Sequence, residues 1–262
     1  MLDAIKYNIQ RSCFYSRLEA KQNNFDLEDV FLVSFPKSGN TWMRFMITGL
    51  YLWEINEGNS EPNYFNIHTY VKDLHLEQIK KRTYFSGMPR IIKSHRTFSP
   101  NYTRVIFVVR DVRDVMISWF NFINRNEIKF KSFDSFLRNP YYGVAAWKYH
   151  TDSWLNSSTK TNKKLLLLRY EDLMDNSINE IKRMLSFLNV KFAEEGIKWS
   201  LQQSSKERIK KLESAYGRAR TSKVPFLRKG EKDQWKKEMS RENIDYIIKV
   251  AGDTLKACEY EL

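Results

Sequence analysis

A short polar loop over residues 36–42 (PKSGNTW) carries the residue types that bind phosphate-like anions. Gly39 permits a tight backbone turn, Lys37 adds a positive charge, and Ser38 and Thr41 add hydroxyl groups. A helix that begins directly after such a loop offers free backbone N–H groups and the positive end of its dipole. A Walker A loop, GxxxxGK[ST], has its lysine after the glycine, whereas Lys37 precedes Gly39. The loop therefore predicts an anion site with a pattern of its own.

Two further basic segments could contact a second anionic group. Arg110 follows the apolar run RVIFVV, and Ser118 comes two helical turns later. A fixed guanidinium and a hydroxyl suit a phosphate monoester. The late segment Arg228-Lys229-Gly230 holds two cations before a residue that permits a turn. Taken alone, either segment could equally be a surface ion pair or a solvated face.

A histidine beside a lysine offers acid–base chemistry. The apolar run over residues 90–94 (RIIKS) contains Lys93 and is followed directly by His95. At this position His95 could act as a general base on an acceptor hydroxyl or amine. A purely structural role for His95 remains the alternative. The other three histidines have no comparable sequence neighbours, and we interpret them as structural: His68, His75 and His150.

The elements that must position these residues are short apolar strands that alternate with helices. The pattern predicts strands over residues 29–35, 90–94, 104–109 and 165–168. It predicts helices over residues 4–20, 41–53, 112–122, 144–155, 178–188, 204–216 and 241–258. Such alternation indicates an α/β fold with a central parallel sheet flanked by helices. Ligands of these sheets bind at the carboxyl ends of the strands, where the residues above all fall.

Composition narrows the class of protein without choosing its ligand. The length of 262 residues suits one domain over residues 1–262, and the net charge of +13 favours anionic partners. Two cysteines, Cys13 and Cys258, cannot form a disulfide framework or a zinc cluster and indicate free thiols. Because the sequence has neither a signal-like start nor an apolar run of membrane length, we expect a cytoplasmic protein.

Taken together, four motifs in order resemble the cytosolic-type sulfotransferases that use 3′-phosphoadenosine 5′-phosphosulfate (PAPS). They are PKSGNTW, RVIFVVRDVRDVMISWFNF, LLLLRYEDL and FLRKG, with Lys93-Ser94-His95 between the first two. The resemblance runs from about residue 31 to the end of the sequence and implies a three-layer, P-loop-like fold.

The resemblance also implies roles for individual residues. His95 would be the base, and Lys37 and Lys93 would stabilise charge on the transferring group. The 5′-phosphosulfate would be held by Lys37, Ser38, Gly39, Asn40, Thr41 and Trp42. The 3′-phosphate would be held by Arg110, Ser118, Arg228, Lys229 and Gly230, and Tyr170 and Ser204 would also contact the nucleotide. No metal is implied, and PAP would be the spent donor.

The sequence departs from this family at three places. The late loop reads RKGEKDQW where the family has RKGxxGDW, and Lys206 stands where the family has an aromatic side chain that stacks on adenine. The family's dimer motif, KxxxTVxxxE, is not seen over residues 236–245. The contact with adenine and the oligomeric state therefore stay open.

The predicted reaction is in-line sulfuryl transfer from PAPS to a hydroxyl or amine of a small molecule. We expect residues 51–88 and 122–142 to line the acceptor site, where Glu54, Glu57 and Asp73 would favour a cationic acceptor. An ATP-dependent kinase is one alternative, but it needs a Gly-Lys-Ser/Thr loop and a metal-binding Asp at a strand end. A non-enzymatic nucleic-acid-binding protein is another, and it would show a steep salt dependence. We expect neither nucleic acid nor a membrane as a partner.

Overall fold

A computed structural model describes residues 24–55, 60–76, 79, 87–126, 129–158, 164–217 and 230–262. The predicted helix over residues 4–20, and with it Cys13, lies outside the described residues. The same holds for Arg228 and Lys229 of the late basic segment.

Five parallel strands form the sheet in the described part of the chain. Its order is β2-β3-β1-β4-β5, and every neighbouring pair is parallel. The strands are β1 (Val30–Ser34), β2 (Val71–Asp73), β3 (Ile91–Ser94), β4 (Arg104–Val109) and β5 (Lys164–Arg169). The four predicted strands are confirmed. Strand β2 was not predicted, because three residues with a lysine in the middle are too short to show a periodic pattern.

Helices connect the strands and follow the sheet. They are α1 (Asn40–Glu54), α2 (Ile67–Tyr70), α3 (Val112–Asn126), α4 (Phe133–Leu137), α5 (Val144–Ser158), α6 (Tyr170–Asp175), α7 (Ser177–Leu188), α8 (Glu194–Gln203), α9 (Lys206–Gly217), α10 (Trp235–Glu238) and α11 (Arg241–Ala257). The predicted helix over residues 204–216 begins at Lys206 instead, because Ser204 ends the unpredicted helix α8. No helix in the described ranges is long and apolar enough to cross a membrane.

The sheet is buried on both faces. Successive side chains of a strand point to opposite sides, so alternate residues of β1 and β4 enter two separate cores. One core joins Phe31 and Phe107 to residues of α3, α5 and α11, such as Met116, Trp147 and Leu255. The other joins Leu32 and Ile106 to residues of α1, α7 and α8, such as Met46, Leu185 and Ile197. The predicted three-layer α/β arrangement is confirmed.

Parallel pairing brings the carboxyl ends of four strands to one edge of the sheet. In the register, Val33 lies opposite Ser94 of β3, and Ser34 lies opposite Val108 of β4. On the far side of β4, Val109 pairs with Arg169 of β5. The chain therefore leaves the sheet at neighbouring points into the four segments that carry the predicted chemistry. Their first residues are Phe35, His95, Arg110 and Tyr170.

The loop between β1 and α1 depends on its glycine. Lys37 and Gly39 both have positive φ angles, 69° and 95°, and Gly39 is the residue from which α1 begins. A Cβ atom at Gly39 would lie 2.5 Å from Cδ2 of Tyr170, closer than real Cβ contacts allow. Gly39 is therefore required both for the backbone conformation and for the close approach of the Tyr170 ring.

Replacing this glycine is expected to destabilise the protein, whereas a helical glycine offers a matched control. Gly39→Ala should lower the free energy of unfolding by more than about 1–2 kcal/mol, because left-handed strain adds to the displaced Tyr170 ring. Gly252→Ala, in α11, places its Cβ no closer than 3.7 Å to any neighbour and should raise stability by about 0.5–1 kcal/mol. Chemical denaturation midpoints measure both, and a neutral Gly39→Ala would contradict the close approach.

Candidate active site

Arg110 is the cation around which the edge of the sheet is built. It leaves β4 with only 5% of its surface exposed. Its Nη1 donates to the carbonyl of Lys37 at 3.4 Å and its Nη2 donates to the carbonyl of Glu231 at 2.7 Å. Its guanidinium lies 3.6 Å from the carboxylate of Asp114. The sequence analysis left open that Arg110 forms only a surface ion pair. Arg110 does pair with Asp114, but this pair is buried.

Tyr170 contacts residues from three other segments. Its ring packs on Gly39, lies 4.5 Å from the guanidinium carbon of Arg110, and meets the ring of Trp42 edge-on at 5.6 Å. Its hydroxyl donates to the carbonyl of Gly230 at 3.1 Å. The indole Nε1 of Trp42 in turn donates to the carbonyl of Ser204 at 3.0 Å. The structure therefore brings together six of the predicted nucleotide residues, which are Gly39, Trp42, Arg110, Tyr170, Ser204 and Gly230.

The start of α1 has polar atoms that suit an anion. Ser38 Oγ, a hydroxyl that can donate to an anion, is buried and has no hydrogen-bond partner among the described residues. Asn40 Nδ2 donates to Ser34 Oγ at 3.1 Å, which fixes the amide. No side chain caps α1 at Gly39, and the first turn, which includes the half-buried Thr41, contains no acidic residue. Buried polar groups without partners cost about 1–3 kcal/mol, so this geometry fits a bound phosphate or sulfate.

Lys37 is the second cation of the loop. Its Nζ lies 4.7 Å from the ring centroid of Phe122 on α3. Burial lowers the pKa of Lys37 to about 8, with Arg110 adding to the decrease and Glu213 opposing it. The buried Arg110 and the half-buried Lys37 thus lie close together, and a bound anion would relieve their repulsion.

His95 is held in the tautomer that a base requires. Its Nδ1 lies 2.7 Å from the carbonyl of Ser34. Because a carbonyl only accepts, Nδ1 carries the proton and Nε2 keeps its lone pair. Burial lowers the pKa of His95 well below its usual value, and the charge of Lys93 adds to the decrease. The imidazole is therefore neutral and able to accept a proton at Nε2.

Lys93 lies at the end of β3 but its ammonium group is engaged. Its Nζ lies 3.1 Å from both carboxylate oxygens of Asp73, whose carboxylate is also 3.6 Å from Arg44. Burial alone would raise the pKa of Asp73. The pKa nevertheless lies below its usual value, because the carboxylate interacts with Lys93, the backbone N–H of His75 and Arg44. The same carboxylate is therefore already neutralised, which removes the physical reason for expecting Asp73 to favour a cationic acceptor.

Three residues that the sequence analysis did not assign to the site lie near it. His75 accepts the backbone N–H of His95 at its Nε2, at 3.0 Å. His150, on α5, is buried with its ring 5.6 Å from that of Phe35, and burial lowers its pKa to about 4. Lys206 begins α9 beside Ser204, and burial lowers its pKa. No local pattern could identify the two histidines, because their neighbours come from distant segments.

Ser118, a further predicted nucleotide residue, is half-buried on α3, and Gly230 adopts a positive φ of 64°. Arg228 and Lys229, as stated, lie outside the described residues. Across the described ranges, no three His, Cys, Asp or Glu side chains form a group able to hold a metal ion. The arrangement as described has a buried and a half-buried cation near a neutral imidazole, which suits the binding of an anion.

Comparison with known proteins identifies the family. The family model for the sulfotransferase domain matches residues 27–259. Sulfotransferase 1E1 of Bos taurus is 27% identical over 254 residues, covering 87% of this chain and 85% of the relative. Sulfotransferase 1B1 of Mus musculus is 29% identical over 266 residues, covering 88% and 85%.

A solved structure supports the fold. Retinol dehydratase, crystallised with androsterone and the inactive cofactor PAP, superposes with a TM-score of 0.66 at 19% identity. The likeness covers 91% of this chain and 83% of retinol dehydratase, and it confirms the predicted P-loop-like fold. Together with the match of the family model to residues 27–259, these findings show that the chain belongs to the sulfotransferase family.

Proposed function

We propose that the chain transfers the sulfuryl group of PAPS to a hydroxyl or amine of a small-molecule acceptor. The observation that carries this proposal is the loop over residues 36–42, bound to Arg110 and Tyr170 and adjacent to a neutral His95. The sulfotransferase family and the PAP found with retinol dehydratase support the choice of donor.

The donor would bind across the edge of the sheet. The hydroxyl of Ser38 and the uncapped start of α1 suit the 5′-phosphosulfate, together with Lys37, Gly39, Asn40, Thr41 and Trp42. The buried guanidinium of Arg110 suits the 3′-phosphate, together with Ser118, Arg228, Lys229 and Gly230. Tyr170 and Ser204, which each contact Trp42, would also contact the nucleotide.

The chemistry is a direct displacement at sulfur. An oxygen or nitrogen of the acceptor attacks sulfur while the bond from sulfur to the bridging phosphate oxygen breaks. The acceptor's proton passes to His95 Nε2, which the hydrogen bond from Nδ1 to Ser34 leaves free to accept it. Lys37 stabilises the negative charge that develops on the released oxygen. A positioned base of this kind contributes about a hundred- to ten-thousand-fold to the rate.

Three further properties stay predictions. They are a single domain over residues 1–262, a cytoplasmic location and a small molecule as the acceptor. The family model, which matches residues 27–259, supports the first of these.

Binding of PAP separates this proposal from its rivals. At a concentration one hundred times its Kd, PAP should raise the free energy of unfolding by about 2.7 kcal/mol, measured as a thermal shift. Adenosine 5′-monophosphate should bind more weakly, because it lacks the 3′-phosphate. Stabilisation by ATP and magnesium without stabilisation by PAP would favour a kinase. Salt-sensitive binding of nucleic acid, with no effect of PAP, would favour the other alternative.

Binding of PAP is expected to take up protons in mildly alkaline solution. The pKa of Lys37 in the free protein is about 8, and a nearby anion favours the charged form and raises it. Affinity should therefore fall above a pH of about 8, by up to about tenfold per pH unit. Calorimetry in two buffers of different ionisation enthalpy measures the uptake. Lys37→Met should abolish it, and an unchanged uptake in that variant would refute the assignment to Lys37.

Removal of the base should separate turnover from donor binding. His95→Ala is expected to lower kcat by at least about a hundredfold and to leave the Kd of PAP nearly unchanged. The pKa of His95 lies well below 6.5, so His95 stays neutral in mildly acidic solution. The kcat of the unmodified enzyme should therefore stay constant as the pH falls to about 6.5. His68→Ala, at a histidine that contacts Arg44, is the control and should keep kcat within about threefold. Near-normal turnover by His95→Ala would exclude this base.

A further inference from the structure

The segment that follows α11, residues 258–262, packs against the end of β5 and the start of α6. Glu259 adopts a positive φ of 61°, and the backbone N–H of Tyr260 donates to the carbonyl of Leu255 at 3.0 Å. This turn directs the Tyr260 side chain into the protein, where only 6% of its surface is exposed. Its ring lies 4.4 Å from the guanidinium carbon of Arg169, at the end of β5.

Two hydrogen bonds tie this segment to buried charged groups. The hydroxyl of Tyr260 donates to Glu171 Oε2 at 2.6 Å. The carbonyl of Glu261 accepts from Arg113 Nη2 at 2.7 Å. Burial raises the pKa of Glu171, and the hydroxyl of Tyr260 opposes that increase by stabilising the charged form. The segment therefore satisfies two buried groups that would be costly to leave unpaired.

The partners of both hydrogen bonds, Glu171 and Arg113, contact Asp111, which follows Arg110 in the chain. Glu171 Oε1 accepts the backbone N–H of Asp111 at 3.2 Å. The Asp111 carboxylate holds the guanidinium of Arg113 in a bidentate pair, with distances of 2.7–3.0 Å. The backbone N–H of Asp111 is thus held by Glu171, and the side chain of Asp111 is held by Arg113. Tyr260 and Glu171 are not among the residues that the sequence predicts to bind the donor or to act in catalysis.

A third contact links the same network to the late loop. The guanidinium carbon of Arg113 lies 3.8 Å from the ring of Trp235, and the backbone N–H of Trp235 donates to Asp114 Oδ1 at 3.0 Å. Asp114 is also the carboxylate partner of Arg110. The network therefore contacts the turn from Arg110 to Asp114 at three of its residues, Asp111, Arg113 and Asp114.

We propose that Tyr260, acting through Glu171 and the backbone of Asp111, is a positioning residue that sets the orientation of Arg110 toward the donor's 3′-phosphate. This rests on the proposed function, in which Arg110 meets that phosphate. Tyr260 touches neither donor nor acceptor. Its effect should therefore appear only with ligands that carry the 3′-phosphate.

Two ligands that differ by one phosphate test the role. Tyr260→Phe keeps the buried ring and its contact with Arg169 and loses only the hydroxyl, so the variant should stay folded. We expect the Kd of PAP to rise about tenfold, as the loss of a hydrogen bond to a charged group predicts, and the Kd of adenosine 5′-monophosphate to stay within about twofold. Tyr246→Phe is the matched control, because its ring also lies 4.4 Å from an arginine, Arg138. That control should change neither Kd.

A double-mutant cycle tests the route. Glu171→Gln should also raise the Kd of PAP selectively, and the double variant should lose little more than the larger single loss, because both changes break the same bond. Additive losses would overturn the route through Glu171. Equal weakening of both ligands by Tyr260→Phe, or none, would overturn the positioning role. If the unmodified protein does not prefer PAP to adenosine 5′-monophosphate, the proposed function itself fails and the inference fails with it.

Discussion

The buried guanidinium of Arg110 is the interaction on which the rest of the site depends. A buried charge is tolerated only where it is paired and hydrogen-bonded, and its partners here are main-chain carbonyls of Lys37 and Glu231, the Asp114 carboxylate and the Tyr170 ring. These partners are far apart in sequence. They can meet because β4 lies between β1 and β5. The order of the strands therefore determines the position of Arg110 relative to its partners.

The same edge of the sheet concentrates positive charge at a cost. Burial lowers the pKa of both Lys37 and Lys206, and the charge of Arg110 adds to each decrease. Cations placed this close together repel each other, and a multiply charged nucleotide would relieve that repulsion. The net charge of +13 favours anions in general, whereas this local arrangement is what favours one anion with two charged ends.

Much of the fold could be predicted, because buried parallel strands are apolar runs and the residues after them lie at one edge. The short strand β2 and the break between α8 and α9 could not, since three residues of β2 show no period and Ser204 reads equally well as the end of one helix or the start of the next. Within the site, the loop and Arg110 were evident from sequence. The partners of Lys93 and His95 were not, because Asp73 and His75 reach them only through the pairing of β2 with β3.

The hydrogen bond from His95 to the carbonyl of Ser34 has a geometric consequence. Ser34 is the last residue of β1, and the anion loop begins at the next residue. His95 and the loop over residues 36–42 are therefore anchored to the same strand, and the gap between them is set by covalent geometry and by the β1–β3 pairing. Under the proposed function, an acceptor would bring its nucleophile into this gap of fixed width. Selection among acceptors would then depend on the walls around the gap, because the width itself would be the same for all of them.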